Sequence, residues 1–107
     1  MGNPWAGEVT LVIGGERQVM RLTLGALAEM ETALGAGSLV DLVARFEEGR
    51  FSSRDVLAVI VAGLRGGGWH GDASALVTAE IEGGPLAAAR AAAQLLARAF
   101  ALPEGEG

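Results

Sequence analysis

Residues 52–71 read SSRDVLAVIVAGLRGGGWHG. Their centre is an apolar run, VLAVIVAGL at 56–64. Ser52 with Asp55 three residues on has the form of a capping box, in which a hydroxyl and a carboxylate satisfy orphan N–H groups at a helix start. Val56, Leu57, Val59, Ile60, Val61 and Leu64 then cover nearly every side of the helix that follows. A helix that is apolar all round must be surrounded by other elements. This one is expected at the centre of the core, and the remaining elements are read around it.

The glycines that follow raise a separate question. Gly63 and Gly68 have the spacing of a phosphate-binding loop, but the next two residues are Trp69 and His70. That loop needs a lysine for the β- and γ-phosphates and a hydroxyl for magnesium, and the chain has no lysine. Gly66, Gly68 and Gly71 also match G-x-G-x-x-G, a pattern that works after a strand and before a helix. Here it follows a helix, so a helix-to-helix turn is the plainer reading. Gly66 is expected to end the preceding helix in the left-handed conformation, and Asp72 to cap the next one. Trp69 in such a turn either pins into the core or is an exposed anchor for a partner. Loop exposure and hot-spot chemistry mark Arg65 and Trp69 as the candidate partner-binding residues.

Upstream, EVTLVI (8–13) and RQVMRLT (17–23) alternate with a two-residue period, as strands do. Gly14-Gly15 supplies the positive φ of a tight hairpin turn. Thr23 is placed to cap a helix carrying Leu24, Leu27, Met30 and Leu34 that ends at Gly35. Ser38 and Asp41 repeat the capping pattern before LVDLVARFEE, whose stripe is Leu39, Leu42, Val43 and Phe46 and which Gly49 stops. After Asp72, a short helix is expected through Leu76, Val77 and Ile81. Pro85 opens a final alanine-rich helix. In that helix Leu86, Ala89, Ala93, Leu96 and Phe100 step by three and four as an apolar seam, with Arg90, Gln94 and Arg98 on the wet side. The expected fold is therefore α+β: an N-terminal β-hairpin followed by four to five short helices. Residues 1–107 are expected to form a single domain, with 1–7 and 103–107 as frayed ends.

Composition narrows the function. Half of the 107 residues are apolar, enough for one core without staples. There is no cysteine, which excludes disulfides and thiol chemistry. His70 is the sole histidine, so a histidine metal cluster is excluded too. A triad of Ser52 or Ser53 with His70 and Asp72 lacks the nucleophile-elbow motif that would support it. Glu29 and Glu31 point to different helix faces, since residues two apart do not meet, and Glu47, Glu48, Glu80 and Glu82 read as solvated faces. The net charge is −5, and the eight arginines are scattered among thirteen acids. Nucleic-acid binding, which needs a clustered basic patch, is disfavoured. The start MGNPWAGE lacks a signal-peptide pattern, and no apolar run approaches the ~20 residues of a membrane span. A soluble protein without catalytic residues, metal or cofactor is expected.

Taken in order, GEVTLVIGGERQVMRLTLGALAEMETALG, SLVDLVARFEEGRFSSRDVLAVIVAGLRGGG and the helix ending near Phe100 resemble the small tail protein of gene transfer agents. These are phage-like particles encoded in alphaproteobacterial genomes. The family groups with phage tail assembly chaperones and is also described as a tail tube protein. The resemblance implies a non-enzymatic role in tail morphogenesis, in the cytoplasm during assembly, with the tape-measure protein as partner. A tail tube protein or a second copy of the chain is a further candidate partner. Tail assembly chaperones associate with the long helical tape-measure protein before tube subunits polymerise around it. A lasting tube subunit is the alternative role, and a small helical DNA-binding regulator a more remote one.

Overall fold

The computed structural model describes residues 8–34, 39–71 and 73–100. Strand β1 (Val9–Ile13) pairs antiparallel with β2 (Glu16–Met20), in the register Val9 opposite Met20 and Ile13 opposite Glu16. Gly14 and Gly15 form the turn with φ of 60° and 83°, the doubly positive geometry that matches strand twist. Five helices follow: α1 (Leu24–Leu34), α2 (Leu39–Glu47), α3 (Ser53–Gly66), α4 (Ala73–Val77) and α5 (Gly84–Ala99). The α+β architecture is the expected one.

Helix α3 is the hub, packing against α1, α4, α5 and β2. Val59, Ile60, Ala62, Gly63 and Leu64 are buried on it, while Val56, Leu57 and Val61 are half-buried against the same cluster. Met20 from β2, Met30 from α1, Leu42 from α2 and Leu95 and Leu96 from α5 meet it in the interior. Each such side chain contributes about 1.5–3 kcal/mol of transfer free energy. The hairpin rests its Val9–Leu11 face on this core, which is how two strands persist here.

The start of α3 is capped as expected. Asp55 N donates to Ser52 Oγ (3.1 Å), and Ser52 N donates to Asp55 Oδ2 (3.0 Å). Asp55 is nonetheless buried, and Arg45 of α2 grips it with Nε on Oδ2 (3.1 Å) and Nη2 on Oδ1 (3.0 Å). Arg45 also reaches Asp41 one turn back, at 2.8 Å. Phe46 and Phe51 stack at 4.6 Å across the same joint. Thr23 caps α1 through Ala26 N, at 3.1 Å. The caps expected of Ser38 and Asp72, the stop at Gly35 and the frayed ends at 1–7 and 103–107 lie outside the described residues.

Three expectations are corrected. Gly66 does not end α3 in the left-handed conformation: it is helical, Gly67 is the C-cap with φ −92°, and positive φ first occurs at Gly68. Ile81 is not in α4, which stops at Val77; it forms an antiparallel bridge with Ile13. The hairpin edge competes successfully for that backbone, since Glu82 N donates to Val12 O and Gly14 N to Glu80 O. The apolar seam of α5 is also displaced. Its buried face is Ala88, Ala91, Ala92, Leu95 and Leu96, whereas Leu86 and Phe100 are exposed. Alanine allows close approach to α3 and β1, and that closeness outweighs the pull of two bulkier side chains.

Candidate partner-binding surface

The glycine run takes its shape from packing. A side-chain carbon on Gly66 would collide with the carbonyl oxygen of Arg21, and one on Gly67 with that of Val19. One turn earlier, a carbon on Gly63 would lie 2.7 Å from Leu95 Cδ1 and 3.2 Å from Met20 Cβ. The end of α3 therefore lies directly against the β2 backbone, and Arg21 N closes the joint by donating to Gly63 O (2.9 Å). Glycines serve here because two backbones must touch.

Ser52 and His70 sit at opposite ends of α3. Its 14 residues at 1.5 Å each separate the two by about 21 Å, so they do not form a catalytic pair. The Ser52 hydroxyl is already engaged in the cap. His70 is exposed. Among the described residues no cluster of histidine, aspartate and glutamate could hold a metal ion.

Arg65 and Trp69 are brought together around Gly71. The Trp69 ring is half-buried against the core and covers the Cα of Gly71, leaving no room for a side chain there. Arg65 is exposed, with Nη2 at 3.4 Å from Gly71 O and Nη1 at 3.5 Å from Glu29. Trp69 is thus a partial pin. Arg65 stands at the lip of an open groove of about 830 Å³ between α1 and α3, lined by Gly25, Ala28, Ala33, Leu57 and Val61.

A second depression, of about 520 Å³, lies where α3, α4 and the start of α5 converge. Its lining is almost wholly apolar: Phe51, Val56, Leu57, Ile60, Leu76, Val77, Ile81, Pro85 and Ala88 among others, with Ser52 and Ser53 at one end. Val77 on this wall is 69% exposed. An exposed apolar side chain over a concave apolar floor makes this depression a candidate surface for another protein. This site was not found in the sequence. The available signal was Leu76-Val77 on a five-residue helix, where two adjacent apolar side chains point in different directions and one must face out.

Charge around the surfaces is local. Burial pushes the Asp55 carboxyl up, but hydrogen bonds from the Arg45 guanidinium and the Ser52 backbone outweigh it and hold the group below the ordinary aspartate range. Among the described residues no helix is long and apolar enough to cross a membrane. Residues 6–102 match the family model for a phage tail tube protein, GTA-gp10. No curated protein and no solved structure matches the chain.

Proposed function

The chain belongs to the GTA-gp10 family of phage tail tube proteins, and from that membership we propose that it assists tail assembly as a non-enzymatic chaperone of the tape-measure protein. The observation that carries this reading is the apolar depression between α3, α4 and α5, with Val77 exposed on its wall. A groove of that shape and polarity suits the apolar face of a helix, read as anchors one turn apart. The tape-measure protein is long and largely helical, and its apolar faces need cover before the tube closes around it. The protein acts in the host cytoplasm while the particle is being built.

The architecture supports a transient role. Tube subunits are usually β-sandwiches or barrels that join into rings of sheet. Here the described strands form one two-stranded sheet beside five helices. A second reading, as a lasting component of the tube, is favoured by the family's own description. A DNA-binding role draws no support from the charges, since Arg45, Arg50 and Arg65 are each paired with an acid.

The test is quantitative mass spectrometry of purified particles together with co-expression. A chaperone raises the solubility of the tape-measure protein, co-purifies with it and is nearly absent from mature tails. Presence at the copy number of the major tube protein, several per ring, would overturn the chaperone reading in favour of the structural one.

A further inference from the structure

The outer edge of β1 is an incomplete sheet edge facing a slot. In an antiparallel strand, alternate residues turn both backbone groups to the same side. Val12 O and Gly14 N are turned away from β2, toward Glu82 N and Glu80 O. The bridge between Ile13 and Ile81 sets Glu82 opposite Val12, so Thr10 N–H and Thr10 C=O are the groups that point out along the open edge. No described residue pairs with them, because the chain leaves the edge at Gly83 to begin α5. Helix α5 packs against β1, and a shallow slot of about 280 Å³ lies along the two. It is lined by Leu11, Ala87, Arg90, Ala91 and Gln94, with Glu82 at the end where the chain leaves the edge.

We infer that this slot receives an extended segment of a partner protein, which adds a third strand to the hairpin and sets a carboxylate opposite Arg90. Strand addition between a sheet edge and a helix takes its affinity from main-chain hydrogen bonds and its selectivity from alternate side chains. The two open backbone groups of Thr10 supply the first. Ala87 and Ala91 leave room for small apolar side chains, and Arg90, which has no ion-pair partner among the described residues, supplies the charge. The end at Glu82 is acidic, so the partner's carboxylate belongs beside Arg90. A second copy is a poorer occupant: joining two β1 edges about a two-fold axis turns both Arg90 side chains toward one seam. The inference stands apart from the helix-binding depression and applies equally to a chaperone and to a tube component.

The probe is a blocked heptapeptide of alternating threonine or serine and isoleucine with glutamate at its centre, titrated into the full chain and followed by amide NMR. The amide of Thr10 is expected to shift and to exchange more slowly with solvent. The same peptide with a central lysine should bind roughly fivefold more weakly, the scale of one exposed charge pair. R90E, a change at an exposed position, should leave the spectrum of the core intact and reverse that preference. Equal binding of the two peptides, an unchanged preference in R90E, or shifts confined to the α3–α4–α5 depression would each overturn the inference. So would sedimentation showing a dimer in which the Thr10 amide is already protected without peptide.

Discussion

Gly66 lies with its Cα against the carbonyl oxygen of Arg21, so the end of the central helix and the end of β2 meet backbone to backbone. The side chain of Arg21 reinforces the joint, its Nε donating to Gly66 O at 3.3 Å. Two effects of opposite sign compete at this position. Alanine in a helix is better than glycine by about 0.8–1.0 kcal/mol. Crowding a packed interior costs about 1–3 kcal/mol, and here the obstacle is backbone that cannot rotate away. Gly66→Ala should therefore destabilise the protein by up to about 2 kcal/mol in a denaturant titration. A stabilised variant would show that the two backbones are not in contact.

The same geometry bears on the phosphate question. With Gly66 inside a helix and Gly67 against Val19, these backbone N–H groups are not presented as a cradle. Millimolar ATP, GTP or NAD should leave the melting temperature unchanged. Ligand at a hundred times its dissociation constant would add about 2.7 kcal/mol, and a shift of that size would restore nucleotide binding.

Ile60 is 2% exposed at the middle of the hub helix. Truncation there leaves a cavity that neighbours on several sides close only in part. Ile60→Ala should cost about 2–5 kcal/mol. A loss under roughly half a kilocalorie, the size of a surface change, would remove α3 from the core.

Asp55 makes stability depend on pH in a defined direction. Its folded carboxyl is held below the ordinary range, so its contribution is present above the unfolded value near 3.9 and is lost as pH falls through the folded value. Asp55→Asn removes the charge on which Arg45 closes and should cost about 1–3 kcal/mol at pH 7. The gap between variant and parent should then narrow below about pH 4, where the parent also protonates. An equal gap at pH 7 and pH 3 would mean that the carboxylate's charge contributes nothing.

Val77 separates binding from folding. Since it is 69% exposed, Val77→Glu should change stability by no more than about 0.5 kcal/mol. It also sets a charge on the apolar wall of the depression, so co-purification with the tape-measure protein should fall sharply. Unaltered co-purification would locate the partner elsewhere, with the groove beside Arg65 as the next surface to test.

Much of the fold was legible from local chemistry. The two-residue alternation of Val9, Leu11 and Ile13, the glycine pair at 14–15, and the Ser52–Asp55 cap each act over a few residues, and the structure shows each of them. The all-round apolarity of residues 56–64 likewise demanded a central position, because such a helix has no side fit for water. Tertiary structure decided what depends on distance between elements. Which stripe of α5 turns inward follows from how closely β1 and α3 approach, and alanine wins there although leucine and phenylalanine are more apolar. Ile81 leaves the helical pattern because a hairpin edge, remote in sequence, offers it a backbone partner. Asp55 becomes buried because Arg45 arrives from another helix to neutralise it. The glycines of 63–67 carry the same lesson: their spacing resembles a ligand loop, and only the β2 backbone lying against them reveals why a side chain is excluded.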